Sequence, residues 1–328
     1  MRLYIILVAC LWFATSPLHA KIVFSSHRDD NAGNEIFTMG TDGGEPIQIT
    51  NNRHDSFSPT WSPDGHQIAF NRDSHIYVID ANGENLRQLT RHNDKRDLHP
   101  DWSPDGKLIA FDRFADHHHA NIYTVDLVTR VVRKVTDFDF NAQAPKWSPD
   151  GEWILFQGNG DLHAIRPDGS DKRIVAKHRL GEPKWLGGWS PDGRRIVYLE
   201  WGAAGDRIVV ATLDMDLLNA VAEKEVFIPP QVTINAVTFG KEAFIPPQVT
   251  INAVTFGAAG QSILFVADAG GRNSSFRLRL DTHELIQLTG APFYDYTLQE
   301  WGRRLSVSSI REMLPQTLGR VKAKALSK

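Results

Sequence analysis

The pentapeptide "WSPDG" occupies residues 61–65 and returns at 102–106, 147–151 and 189–193, about 42 residues apart. Each copy is a turn signal. Proline fixes φ at the second position of a type I turn, aspartate suits the third, and glycine relieves the fourth. A tight turn repeated at that spacing marks one supersecondary unit used several times. Trp61, Pro63, Asp64 and Gly65 are therefore read as structural, as are Trp102, Pro104, Asp105 and Gly106. The same holds for Trp147, Pro149, Asp150 and Gly151, and for Trp189, Pro191, Asp192 and Gly193.

The flanking residues complete the unit. After each turn comes a short apolar run: "QIAFN" 67–71, "LIAFD" 108–112, "WILFQ" 153–157, "RIVYL" 195–199. A second run follows, as in "HIYVID" 75–80 and "NIYTVD" 121–126, then a turn such as "DANGEN" 80–85, then a last short run such as "LRQLT" 86–90. Aromatic and β-branched residues between Gly, Asn, Asp and Pro punctuation predict four antiparallel strands. One such sheet cannot bury both faces, but sheets stacked radially bury each other. The fold predicted is all-β, a β-propeller, with each repeated Trp wedged between adjacent blades.

Two weaker copies raise the count to six blades. "TFGAAGQSILFVAD" 255–268 follows the turn-plus-strand pattern with Phe256 in the Trp place. "KIVFSS" 21–26, "EIFTMG" 35–40 and "PIQIT" 46–50 are three outer strands with no inner strand before them. The missing strand is expected near "TLQEW" 297–301, so that pairing of the N- and C-terminal segments closes the ring. An unrelated period interrupts the pattern. "KEVFIPPQVTINAVTFG" 224–240 is followed at once by "KEAFIPPQVTINAVTFG" 241–257. With one copy set aside, residues 21–301 divide into blades of about 44 residues. One copy of this tandem duplication, 224–257, is expected to be surplus and to leave the ring as a loop or loose hairpin, at modest entropic cost.

Composition narrows the function classes. The chain has 328 residues, 41% hydrophobic and 23% charged, with a net charge of −3, so no global basic field argues for nucleic acid. Residues 1–20 read as a secretory signal peptide: Arg2, an apolar run from Leu3 to Ala14, then "SPLHA", with cleavage expected after Ala20. The single cysteine, Cys10, would leave with it. The compartment expected is periplasmic or extracellular. Residues 302–328 form a basic tail. No G-x-S-x-G, P-loop or H-E-x-x-H motif is present.

The order of WSPDG, "IAF", "IYVID" and "RQLT" resembles the TolB-like propeller family, also called PD40 or WD40-like repeats, over residues 21–301. The resemblance implies a six-bladed ring, a secreted or periplasmic setting and partner binding. The propeller of TolB belongs to the Tol–Pal envelope system and binds the lipoprotein Pal. TolB carries an α/β domain before its propeller, where this sequence has the leader. Oligogalacturonate lyases resemble the same repeat family and hold a metal with histidines. They imply the alternative of a metal-dependent carbohydrate-active enzyme.

Propeller topology puts the WSPDG and "DANGEN"-type turns on one face and the variable loops on the other. Loops on a rigid scaffold are the usual place for recognition. The candidate contact residues are His54, Asp55, Asp94, Arg96, Asp97, His99, His117, His118 and His119. "DHHHAN" 116–121 offers zinc-type ligands, but neighbouring residues of an extended loop point in different directions. A metal there would need His54, His92 or His99 from another loop, and no metal or cofactor is assigned. The function expected is a monomeric, non-enzymatic binding or scaffold propeller for a protein or peptide.

Overall fold

A computed structural model describes residues 21–28, 33–52, 54–115, 119–178, 183–201, 207–225, 233–234, 237–238, 249–269, 273–289 and 294–301. The leader, His117, His118 and the basic tail lie outside the described residues. Six four-stranded antiparallel sheets form the blades of a closed propeller. From the axis outward, the first blade runs Tyr294–Trp301, Lys21–His27, Glu35–Gly40 and Gly43–Gln48. The inner strands of the next five are Ser56–Trp61, Arg96–Trp102, Ala142–Trp147, Lys184–Trp189 and Val249–Phe256, and each blade then follows the chain outward.

Closure comes from the pairing of the chain's two ends. Lys21 opposes Trp301 and Phe24 opposes Leu298, so the last strand completes the blade that the first strands began. Phe256 takes the Trp place of the sixth blade, opposite Ile263 as Trp61 is opposite Ile68, whereas in the first blade Glu300 stands opposite Ile22 and Trp301 is one residue further on.

Six apolar clusters lie among the described residues, and each spans one blade-to-blade interface. Trp61 packs with Val23 and Ile36 of the first blade and Ile68 and Phe70 of its own. Trp102, Trp147, Trp189 and Phe256 repeat this at the next four interfaces. At the seam, Leu264 and Val266 of the sixth blade meet Ile22, Phe24 and Leu298 of the first. The four repeated tryptophans are at most 9% exposed.

The WSPDG turns are built alike. In each, the glycine N–H donates to the serine carbonyl at 2.9 Å, closing the predicted type I turn. The serine hydroxyl donates to the aspartate, as Ser62 Oγ to Asp64 Oδ1 at 2.6 Å and Ser103 Oγ to Asp105 Oδ1 at 2.7 Å. The same oxygen accepts the N–H two residues on, at 3.0 Å from His66 and 3.1 Å from Lys107. Burial pushes the Asp64 and Asp105 carboxyls up, but these donors outweigh it and hold both below the usual carboxylate range. The glycines sit at φ +71° to +75°, a left-handed conformation that costs other residues about 1–2 kcal/mol.

The outer strands are shorter than the apolar runs suggest. "LRQLT" 86–90 yields only Arg87–Gln88 as strand, because the Thr90 hydroxyl accepts the Ile76 N–H at 3.0 Å in place of a ladder bond. Thr50, Thr136 and Thr289 do the same in three other blades.

The duplication resolves in favour of its second copy. Val249–Phe256 is the inner strand of the sixth blade, and the same residues of the first copy form a small hairpin, Thr233 opposite Thr238 and Ile234 opposite Val237. Deleting residues 224–240 is expected to leave the far-ultraviolet circular dichroism unchanged and the melting temperature within about 3 °C. A collapse of cooperative melting would show that both copies are structural. A second test uses the turns. A side chain on Gly65 would overlap the Trp301 indole, whereas at Gly106 nothing stands closer than Pro63 Cδ at 3.9 Å. Gly106→Ala is expected to cost about 1–2 kcal/mol for the backbone alone. Gly65→Ala should cost about 2–5 kcal/mol by urea denaturation, with overpacking added.

Candidate functional site

The inner strands line an axial cavity of about 190 Å³. Three of them carry the same irregularity. Ser58, His99 and Ala144 have φ of +52°, +49° and +51°, each just before a proline, and the pairing register shifts there. These β-bulges replace regular pairing and re-aim the side chain. Among the three bulge residues only histidine brings a titratable group, and His99 lines the cavity.

Beneath His99 lies Asp112, on the second strand of the same blade and fully buried. Its Oδ1 accepts from His99 Nδ1 at 2.8 Å and from the Ala144 backbone N–H of the next blade at 3.0 Å. Its Oδ2 is buried with no hydrogen-bond partner among the described residues. Trp185, on the inner strand of the fifth blade, meets His99 edge-on at 6.4 Å between ring centroids and stacks on Trp201 at 5.5 Å. Deeper in the cavity, Asp101 bridges the third and fourth blades. It accepts the Trp147 N–H at 2.8 Å and pairs with Lys146 at 3.4 Å.

The sequence candidates divide into three groups. Asp94, Arg96 and His119 are exposed at the loop face, with Arg96 over the Phe114 ring at 5.3 Å. His54 and Asp55 are also exposed there, and each is tied locally. His54 Nδ1 meets Asp73 at 3.1 Å, and Asp55 accepts the Asn34 N–H at 2.6 Å.

Asp97 corrects the expectation of a surface contact. It is fully buried, accepts from Arg113 Nε and Nη2 at 2.6 and 2.7 Å, and meets His92 Nε2 at 3.0 Å. Arg113 in turn lies over the Phe111 and Tyr123 rings. Burial pushes the His92 imidazole below its ordinary range against the opposing pull of Asp97. This is an anchor under the face. His99 likewise leaves the outer face for the cavity. Sequence reasoning missed Asp112, Trp185 and Trp201, although the first tryptophan of "KWLGGW" 184–189, Trp185, stands outside the repeat pattern and was the available signal.

Among the described residues, no group of three or more His, Cys, Asp or Glu side chains is arranged to hold a metal ion. No helix among them is long and apolar enough to cross a membrane.

Removing Asp97 would strand the Arg113 guanidinium in the blade. Asp97→Ala is expected to cost about 3–5 kcal/mol in chemical denaturation. Arg96→Ala, on the same strand but exposed, should stay within about 0.5 kcal/mol. Equal, small effects would remove the anchor role.

Comparison with known proteins matches this geometry. Residues 71–177 match the family model described as the TolB beta propeller domain. The chain is 33% identical over 82 residues to the uncharacterized protein YidR of Escherichia coli (strain K12), which covers 25% of this chain and 20% of that protein. TolB from Acinetobacter baumannii superposes with a TM-score of 0.67 at 18% identity, over 86% of this chain and 66% of that one. This chain thus spans less than two thirds of either relative. An oligogalacturonate lyase in complex with manganese superposes at 0.56 with 14% identity, over 81% of this chain and 72% of that one. At these identities the structural likenesses speak for the fold alone. The fourfold sheets and the closed ring of six make this chain a six-bladed β-propeller, and over residues 71–177 it is similar to the TolB beta propeller domain.

Proposed function

We propose that this chain is a periplasmic or secreted, non-enzymatic propeller that captures a protein or peptide on its loop face, over the mouth of the axial cavity. The observation that carries this reading is the contrast between the two faces. On the turn face, the WSPDG serines and aspartates satisfy each other and the local backbone. On the loop face, Arg96, Asp94 and His119 stand exposed on the third blade, and the fifth blade brings the half-buried Trp185–Trp201 pair to the same end of the ring. Aromatic and arginine side chains are the usual anchors of an interface, and a standard contact needs about 800 Å² from each partner. The leader-like residues 1–20 and the likeness to TolB support the envelope setting.

Capture from a solubilised envelope fraction by the immobilised protein, read by mass spectrometry, tests the proposal. Arg96→Ala and Trp201→Ala are expected to lower recovery of the partner about tenfold, the scale of one interface hot spot. Lys107→Ala, on the turn face, should leave it unchanged. Recovery insensitive to the loop-face changes would overturn the assignment. Stoichiometric metal in the purified protein, lost when His117–His119 are replaced, would instead favour a metal-dependent carbohydrate-active enzyme.

A further inference from the structure

The His99–Asp112 pair determines what the cavity can recognise. An ionised carboxylate only accepts hydrogen bonds, so the proton between the two rests on His99 Nδ1. In the neutral imidazole, Nε2 is then left as an acceptor. The His99 side chain is 29% exposed and Asp112 fully buried, so the histidine is the reachable member of the pair. A ligand that meets Nε2 must bring a donor.

Charge narrows the class further. Asp112 pairs with no lysine or arginine among the described residues. Arg113, next in sequence, is committed to Asp97 by two hydrogen bonds. The two carboxylates that line the cavity are already matched, Asp101 with Lys146 and Glu300 with Arg277. Asp112 therefore has no lysine or arginine beside it among the described residues, only the His99 imidazole and the Ala144 N–H. A buried carboxylate with one oxygen unpartnered and no fixed cation nearby is costly, and a cation brought to Nε2 would relieve that cost. Trp185 adds an aromatic surface on the same cavity wall, and indole is the ring that attracts cations best.

We propose that the axial cavity is a receptor pocket for an organic cation, an ammonium or guanidinium group, with His99 Nε2 as acceptor and Trp185 as cation–π surface. The proposal rests on the loop-face reading only for the source of the cation, a basic side chain of the captured partner. The pocket itself is tested without that partner.

Peptides blocked at both ends, Gly-Lys-Gly, Gly-Arg-Gly, Gly-Glu-Gly and Gly-Leu-Gly, are titrated into the full chain. Tryptophan fluorescence and the 15N resonances of the His99 ring report binding. The lysine and arginine peptides are expected to bind and to shift His99 Nε2, and the glutamate and leucine peptides to do neither. His99→Gln and Trp185→Leu should each weaken the basic peptides about tenfold, the scale of one cation–π contact or charge-assisted hydrogen bond. Because Trp185 is only half-buried, its variant keeps the test decisive if replacing His99 disturbs the ring. Butylamine is the comparison for source. Tighter binding of the lysine peptide identifies a side chain of a peptide partner, and equal binding identifies small free amines; both support the pocket. Equal binding of the acidic or neutral peptides, or basic-peptide affinity unchanged in both variants, overturns it. Loss of envelope capture with intact cation binding would remove the loop-face reading and leave the pocket standing.

Discussion

Each blade has two apolar faces, and only another blade can cover them. That constraint organises the molecule. An inner-strand tryptophan buries roughly 200 Å², worth about 5 kcal/mol at the usual area coefficient. A hydrogen bond between blades, such as Trp61 N–H to Gln299 Oε1 at 2.6 Å, nets about 1 kcal/mol. Apolar wedging therefore drives the packing, and the polar links fix rotation and height of one blade on the next. The arrangement works only if no blade is left at an open end. The strand Tyr294–Trp301 answers that requirement, because it supplies both the missing sheet edge and Leu298 for the last interface.

Much of this was legible in the residues. The turn needs Pro and Gly at fixed places, and the wedge needs a large aromatic just before it, so turn and wedge are spelled together. Phe256 and the closing strand near 297–301 were readable in weaker copies because the strand pattern around them persists. The bulges at Ser58, His99 and Ala144 were not. A residue before proline is normally pushed to extended backbone, and nothing local announces the left-handed conformation that the ring imposes there. The outer strands were overestimated for a related reason. The threonine of "RQLT" looks like one more strand residue, yet its hydroxyl ends the ladder.

The duplicated segment separates local preference from context. "TINAVT" stands at 233–238 and again at 250–255. The second copy is an eight-residue inner strand together with its neighbours, and the first makes only a two-pair hairpin. Intrinsic propensity is identical, so the choice comes from elsewhere. The second copy runs directly into the turn closed by Gly260 N–H to the Gly257 carbonyl at 2.8 Å, which delivers Ser262–Ala269 into register. Using the first copy would place the surplus residues inside that turn. Keeping it short leaves the insertion between blades, where chain length is tolerated.

Position on the ring also explains why the candidate site was harder to read than the fold. His99 and Trp185 belong to the third and fifth blades and come together only because the inner strands converge on the axis. No sequence spacing encodes that meeting. The two histidines of the third blade that pair with aspartates were equally ambiguous as text, His92 and His99 of "RHNDKRDLH" 91–99. What separates them is the fate of the carboxylate. Asp97 is matched by the Arg113 guanidinium, so its charge is spent on holding the blade. Asp112 has a backbone N–H and a histidine but no lysine or arginine among the described residues. The same residue type on adjacent strands is thus structural in one case and available for recognition in the other. The balance of charge around each carboxylate, rather than its exposure, draws that line.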